Sequence, residues 1–378
     1  MRLKRRAKPA CHGWLHSSMA PAGTYLLFPG GMPDSLALLS TLKKGGTAAV
    51  GASSMANDQA AALYDVWVHL PFIEDPEFEA ALLALIAKHG ITTVYSPHPT
   101  IAHMLTRLQA SGTLSATLHT EEFARTTTAL QHSIFNWVDA DEAHPLVLGV
   151  GDAAPALSRT QKAALMTHAL RAEGQSSDAK LLAMMEVMRR CPAGDIIEIG
   201  SFWGRSAMML AMLSTHYHIG NLLCMDPWDS HAAVQADVSD HLNAVTLGMD
   251  FEAAYQGFLL NLFPFSQGRV NCLREDASAV HARYHPGFEV SHAHFGTTRY
   301  TGAIAMLHID GNHSLEPVTR DIAQWAPLVK PGGWIIIDDY QWAFGTGPCV
   351  AADRWMDANR TRIHCAFVTG SALFIKLL

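Results

Sequence analysis

The sequence lacks the marks of several protein classes. It has no run of about 18 consecutive apolar residues, so we expect no segment that spans a membrane and no membrane partner. The cysteines form no CxxC pair, which argues against a zinc knuckle or a disulfide framework and favours the reducing cytoplasm. The six cysteines are Cys11, Cys191, Cys224, Cys272, Cys349 and Cys365.

Charge of either sign is also scarce. Charged residues make up 16% of the 378 residues and the formal net charge is -7, so no basic face is available for a phosphate backbone and we expect no nucleic-acid partner. Apolar residues make up 49%, which is enough for sizeable cores. The one basic run, MRLKRRAK, precedes a stretch that lacks the apolar core of a secretory signal, and we predict a flexible tail over residues 1–22.

The first half of the chain alternates short apolar strands with helices. Strand patterns occur in TYLLFPGG, TAAVGASS and ITTVYSP, and the helical stretches DSLALLSTLKKGG and EDPEFEAALLALIAKHG each end at glycine. Such alternation favours a parallel sheet covered by helices. We predict an auxiliary α/β domain over residues 23–150 and a helical linker over residues 151–178.

The glycine turn FPGGMPD allows two interpretations. Its glycines lie where a helix N-terminus would cradle a phosphate, but glycines between a strand and a helix more often serve the turn itself, and we favour the turn. With the VG after the second strand, this turn makes residues 24–108 resemble the small Rossmann-like lobe that precedes ATP-grasp enzymes. No ATP-grasp catalytic portion follows.

A second alternation begins at residue 179 and continues to residue 378. Seven strand patterns occur in it, and five of them end beside a carboxylate. This arrangement predicts a doubly wound, Rossmann-like α/β sheet whose ligands lie beyond the carboxyl ends of the strands.

The segment EIGSFWGRS follows the first of these strands and opens a helix, which is the setting of a glycine-rich cofactor loop. Asp226 ends the second strand, where a carboxylate accepts hydrogen bonds from ribose hydroxyls, and Asp276 ends the third, beside an adenine edge. Glu198 is placed to face the amino-acid part of the ligand. The predicted cofactor-binding residues are Glu198, Gly200, Ser201, Gly204, Ser206, Asp226, Asp276 and Asp310.

This ring of carboxylates indicates which cofactor binds. Acidic side chains repel a pyrophosphate and attract a cation, so a nicotinamide dinucleotide is the weaker choice. The sulfonium of S-adenosylmethionine fits better.

Three further carboxylates lie at the ends of the fourth and fifth strands. Asp310 ends AMLHID, and Asp338 and Asp339 end GGWIIIDD. Because neighbouring strands lie about 5 Å apart, these side chains can converge on one hard cation, for which we predict Mg²⁺, with Mn²⁺ or Ca²⁺ as substitutes. The other interpretation is a capped turn and a solvated loop. His313 follows Asp310 closely and is the predicted base for a substrate hydroxyl, with Asp310 as the second predicted catalytic residue.

Residues 179–378 resemble class I S-adenosylmethionine-dependent methyltransferases. IDGNHS followed by KPGGWIIIDDY is similar to the metal-dependent O-methyltransferases of macrolide sugars and aminocoumarins, a group with relatives described as cephalosporin hydroxylases. The resemblance implies transfer of a methyl group to a hydroxylated small molecule, a sugar or another natural product, by a homo-oligomer. In some related enzymes the base is a His at the place of His313, and in others an Asp.

Two other functions stay open from the residues alone. A hydroxylase would need two histidines and one carboxylate for iron, which this pattern lacks. A cofactor-binding scaffold without turnover would not need Asp310, His313, Asp338 and Asp339 to be intact. Substrate choice is expected to lie in two insertions, residues 230–268 and the histidine-rich residues 281–294, which we predict to form a mobile lid.

Overall fold

The fold is described from a computed structural model that covers residues 23–119, 123–149, 152–236 and 238–378. The predicted flexible tail, residues 1–22, lies outside the described residues. The chain divides into two compact units, Met1–Ala129 and Leu130–Leu378. This division precedes the boundary predicted at residue 150, because Ile134 and Val138 pack in the core of the second unit.

The first unit is a five-stranded parallel sheet with helices between the strands. The strand order is β3-β2-β1-β4-β5. The elements are β1 Thr24–Leu27, α1 Pro33–Lys44, β2 Ala49–Ser53, β3 Val66–His69, α2 Phe78–His89, β4 Ile91–Tyr95, α3 Pro99–Ala110 and β5 Thr117–His119. The alternation in the sequence therefore predicted this layer correctly.

The helix α4 Phe123–Ala143 leads into the second unit, which is built on a seven-stranded sheet. Its elements are α5 Arg159–Arg171, α6 Asp178–Met188, β6 Asp195–Ile199, α7 Arg205–Tyr217, β7 Leu222–Met225, α8 Asp240–Leu247, α9 Phe251–Ser266, β8 Val270–Leu273, α10 Ala277–His281, β9 Glu289–His292, β10 Gly296–Arg299, β11 Ile304–Ile309, α11 Leu315–Trp325, β12 Val329–Ile337, α12 Gly347–Ala358, β13 Ile363–Thr369 and β14 Ala372–Leu377.

The strand order of the large sheet is β13-β14-β12-β11-β6-β7-β8. The five strands from β12 to β8 are parallel, and β14 runs antiparallel to both of its neighbours. The seven predicted strands and the Rossmann-like α/β class are confirmed.

Helices cover both faces of this sheet, so its central strands are buried on both sides. All five residues of β6 are buried, and successive side chains alternate between two cores: Ile196 packs with α6, α7 and α9, and Ile197 packs with α11 and α12. Glu198, His308, Asp310 and Asp338 continue the alternation on the α6 side. None of the helices in the described part of the chain is both long and apolar enough to cross a bilayer.

The histidine-rich stretch does not form the predicted lid. It contains an antiparallel hairpin, β9 with β10, which lies against the sheet edge. The fully buried Asn271 of β8 donates hydrogen bonds to the backbone carbonyls of Val290 and Gly296, at 2.8 and 2.9 Å. Each strand of the hairpin has one buried residue between more exposed neighbours, Val290 in β9 and Thr298 in β10. This pattern is typical of a strand, but it is hard to recognise in a sequence with so many histidines.

Candidate active site

A cavity of about 470 Å³ lies at the carboxyl ends of the parallel strands in the second unit. Loops that follow β6, β7, β8, β11 and β12 all contribute to its walls. The lining includes most of the predicted site residues, namely Gly200, Ser201, Ser206, Asp226, Asp276, Asp310, His313, Asp338 and Asp339. The switch of strand order between β6 and β11 opens this crevice, as it does in other open α/β sheets.

Gly200 permits a close approach of two strand ends. Its φ is +82°, and an added Cβ would lie 2.1 Å from the backbone oxygen of Asp310. A side chain at this position would therefore push the Asp310 loop away from the glycine loop. Gly200 positions the second site loop as well as lining the cavity.

Gly204 has a different role from the predicted ligand contact. It does not line the cavity. Its φ is +88°, and a Cβ would lie 2.6 Å from Leu262 of α9. Gly204 therefore allows α7 to begin close against α9.

Glu198 holds the glycine loop after β6 in place through hydrogen bonds. It is fully buried and does not line the cavity, which corrects the expectation that it faces the ligand directly. Its carboxylate accepts hydrogen bonds from Ser201 and Ser206 at 2.6 and 2.7 Å, and the His308 Nδ1 lies 3.1 Å from it. A buried carboxylate with these partners fixes the loop that the cofactor would contact.

Asp226 and Asp276 lie at the cavity wall and also organise backbone. Asp226 accepts hydrogen bonds from the backbone N–H groups of Ser201, Phe202 and Trp228, at 3.0, 2.9 and 2.7 Å. Asp276 is the N-cap of α10 and accepts from the backbone N–H of Ser278. Each carboxylate keeps acceptor capacity for a ligand hydroxyl or amine.

Asp310, Asp338 and Asp339 are brought together by the pairing of β11 with β12. The Asp338 N–H donates to the backbone carbonyl of Ile309 at 2.9 Å, which sets the two strand ends side by side. Asp339 has a φ of +50°, an uncommon conformation that turns its side chain away from the alternation of β12. Asp310 accordingly lies near Asp338 in one group of candidate ligands and near Asp339 in another. That all three carboxylates bind one cation stays a prediction.

His313 lies between two of the carboxylates. Its Nε2 is 3.3 Å from Asp339 Oδ2 and 3.7 Å from Asp310 Oδ1, and the Trp342 ring packs edge-on against the imidazole with centroids 4.8 Å apart. Burial by itself would lower the pKa of His313, but the two carboxylates outweigh it and raise the pKa above its usual value. The imidazole is therefore a strong proton acceptor in its neutral form.

Lys180 of α6 is a site residue that sequence reasoning missed. Its ammonium contacts Asp338 Oδ2 and lies 3.4 Å from Asp310 Oδ2. Burial alone would lower the pKa of Lys180, but the charges of Asp338 and Asp310 raise it above the ordinary lysine value. The same ammonium holds the pKa of Asp310 low against the opposing effect of burial. The sequence signal that could have indicated a buried lysine was its position directly before the apolar residues LLAMM.

The donor set suits a divalent cation. Oxygen and nitrogen atoms of Asp310, His313 and Asp339 all lie within 4.8 Å of one another, and the same holds for His308, Asp310 and Asp338. The Nε2 of the fully buried His308 has no hydrogen-bond partner among the described residues and lies 3.9 Å from Asp310 Oδ2. Carboxylate oxygens of this kind fit the hard ions Mg²⁺, Mn²⁺ and Ca²⁺.

The insertion after β7 forms part of the cavity wall. Ala232, Gln235 and Phe251 line the cavity, whereas no residue of the hairpin β9–β10 does. Asn312, next to His313, donates from its side-chain amide to the backbone carbonyls of Ala232 and Val234, at 3.1 and 2.8 Å. The loop that carries the predicted base thus also holds the insertion in place.

Comparisons with known proteins agree with this architecture. Residues 197–340 match the family model described as a methyltransferase domain. A comparison with curated proteins found no match.

Several solved structures resemble the chain. The O-methyltransferase NovP is 14% identical, with 66% of this chain and 98% of NovP covered and a TM-score of 0.37. The MycE methyltransferase of the mycinamycin pathway, solved with Mg and SAH, is 16% identical over 52% of this chain and 48% of its own, with a TM-score of 0.31. CalS11, a TDP-rhamnose 3'-O-methyltransferase, is 14% identical over 66% and 93%, with a TM-score of 0.33.

The glycine loop, the crevice at the switch of strand order and the matched residues 197–340 lie in one unit of the chain. The match to a methyltransferase domain therefore lies in the second unit, over the residues that form the glycine loop and most of the cavity wall.

Proposed function

We propose that the chain is an O-methyltransferase that transfers the methyl group of S-adenosylmethionine to a hydroxyl of a small molecule, such as a sugar or another natural product. The observation that carries this proposal is the group of Asp310, His313 and Asp339, whose donor atoms lie within 4.8 Å of one another in the cavity wall. Methylation of a hydroxyl requires a group that accepts the hydroxyl proton, and a neighbouring cation can make that proton easier to remove.

His313 is the proposed base. Its Nε2 takes the proton from the acceptor hydroxyl, and the oxygen then attacks the methyl carbon as the bond from that carbon to sulfur breaks. Asp339 at 3.3 Å and Asp310 at 3.7 Å stabilise the imidazolium that forms. The edge-on contact with the Trp342 ring helps to hold the imidazole in this position.

Asp310, Asp338 and Asp339 are the proposed ligands of Mg²⁺. When bound, the cation would lower the pKa of the acceptor hydroxyl and so ease its deprotonation. Gly200, Ser201, Asp226 and Asp276 are the proposed cofactor contacts, with the acidic wall matching the sulfonium charge. We also propose that the chain forms a homo-oligomer and is located in the cytoplasm.

Titration calorimetry tests the cofactor and the metal separately. We expect S-adenosylhomocysteine to bind the wild-type chain and Asp339→Asn alike, while the heat of Mg²⁺ binding is weakened by Asp339→Asn. Asp357→Asn, an exposed carboxylate on α12, is the control and should leave both signals unchanged. Absence of cofactor binding in every variant would contradict the methyltransferase assignment of this chain.

Measurement of methyl-transfer turnover tests whether His313 is the base. Release of S-adenosylhomocysteine in the presence of a panel of hydroxylated sugars and polyketides should fall by about 10²–10⁴-fold in His313→Gln. His285→Gln changes an exposed histidine that does not line the cavity and should have wild-type rates. Cofactor binding without turnover on any acceptor would instead favour a scaffold protein.

A further inference from the structure

Lys180 is the one fully buried lysine in the described part of the chain, with 0% of its surface exposed. It reaches the carboxylate cluster from α6, because Asp310 and Asp338 continue the strand alternation on the face of the sheet that α6 covers. Its ammonium has hydrogen-bond partners in Ser176 Oγ at 3.2 Å, Asp310 Oδ2 at 3.4 Å and Asp338 Oδ2. All three ammonium hydrogens are thereby used.

The Lys180 ammonium contacts carboxylate oxygens of Asp310 and Asp338, which are also proposed ligands of the metal. A divalent ion of this kind takes carboxylate oxygens at about 2.0–2.6 Å. Asp338 is 9% exposed on its side chain, and its Oδ1 accepts the backbone N–H of Asp339 at 3.0 Å, while Oδ2 contacts Lys180. Asp338 therefore has no oxygen that is free of a protein donor.

The positive charge of Lys180 also opposes binding of a metal ion at the carboxylate cluster. Asp310, Asp338 and Asp339 would together carry three negative charges, and Lys180 neutralises one of them inside the protein. A fixed positive charge a few ångströms from a divalent ion opposes its binding, and burial keeps solvent from screening the two.

We infer that Lys180 is a built-in counter-cation that competes with a divalent metal for Asp310 and Asp338, and so sets the metal affinity of the cluster. The inference rests on the proposed metal site. In the absence of metal, the ammonium keeps the carboxylates together. With metal bound to all three carboxylates, Lys180 must release Asp338 Oδ2.

Binding of Mn²⁺ to the full-length chain, measured by electron paramagnetic resonance and calorimetry, tests the inference. Lys180→Met and Lys180→Gln remove the charge, and each should bind Mn²⁺ at least about tenfold more tightly than the wild type, which corresponds to about 1.4 kcal/mol. Lys180→Arg keeps the charge and should bind as weakly as the wild type.

Lys376→Met is the matched control. Lys376 is also buried, at 7% exposure, but it lies on β14 over the Trp334 ring and away from the cluster. Its removal should leave Mn²⁺ affinity unchanged. Lys180→Gln, which keeps a hydrogen-bond donor in the buried space, provides the answer if Lys180→Met does not fold.

The outcomes separate this inference from the proposed function. Equal Mn²⁺ affinity in the wild type and the neutral variants would overturn the role of Lys180 while leaving the metal site in place. No Mn²⁺ binding in any variant would remove the metal site and the inference together. Tight binding by the neutral variants with weak or no binding by the wild type supports it.

Discussion

At the scale of single residues, Asp321 on α11 is a buried carboxylate at the edge of the cavity. It is 4% exposed, its Oδ1 has no hydrogen-bond partner among the described residues, and its nearest cation is Arg320 at 3.8 Å. Burial raises the pKa of Asp321 to about 7, against a smaller lowering effect of Arg320. The native state therefore binds this proton at a pH where the unfolded chain has released it.

This pKa predicts how stability changes with pH. Between the unfolded pKa of 3.8 and the folded pKa of about 7, the native state holds more protons, so the free energy of unfolding falls as pH rises. Asp321→Asn removes that loss, and its stability relative to the wild type should increase by about 2–3 kcal/mol from pH 5 to pH 8. Urea unfolding at both pH values, without cofactor, measures it.

The control for this prediction is Asp357→Asn, since Asp357 is an exposed partner of Arg360 on the protein surface. Its stability should follow the wild type at both pH values. A constant difference between Asp321→Asn and the wild type across this range would mean that Asp321 is ionised in the native state.

The site residues that could be predicted from the sequence are those that lie at strand ends. Asp310 and Asp338 end strands that were recognisable as buried, so their proximity could be anticipated. Lys180 is 130 positions from Asp310 and lies in a helix, where a lysine is usually solvated. Its burial depends on how α6 packs on the sheet, which no local pattern encodes.

At the scale of elements, the β9–β10 hairpin depends on one buried amide. Asn271 donates to Val290 and Gly296 and, at 3.3 Å, to Thr298 Oγ1. The length of this insertion suggested a mobile lid, but hydrogen bonds from Asn271 hold the hairpin against the edge of the large sheet. Long-range contacts of this kind decide whether a polar stretch is a loop or a hairpin.

Asn271→Ala should therefore loosen the hairpin without changing the cavity. Buried carbonyls left without a donor cost about 1–3 kcal/mol each, so we expect lower stability and faster amide hydrogen exchange over residues 289–299. Binding of S-adenosylhomocysteine should be unchanged, because the hairpin does not line the cavity.

Asn359→Ala is the comparison for Asn271→Ala. Its side chain donates to Trp355 O at the end of α12, far along the chain from the hairpin. Hydrogen exchange over residues 289–299 should then match the wild type. Weakened cofactor binding in Asn271→Ala would mean that the hairpin does govern the site.

At the scale of the whole molecule, each unit has its own core. In the first unit the two faces of the sheet are covered by separate clusters, one around Leu26 and Val94 and one around Tyr25 and Leu27. The second unit has two larger clusters. The alternation of strands and helices predicted both layers, but the limit between them is set by the packing of α4, whose Ile134 and Val138 belong to the second core.

The fragment 123–378 is accordingly expected to fold and to bind S-adenosylhomocysteine with an affinity within about threefold of the full-length chain, since an independent core is the mark of a domain. It begins at the start of α4 and contains the whole seven-stranded sheet and all the cavity residues. Calorimetry of cofactor binding and a single cooperative thermal transition are the measurements. A fragment that unfolds would contradict the independence of the second core, and a folded fragment that fails to bind would show that the first unit contributes to the cofactor site.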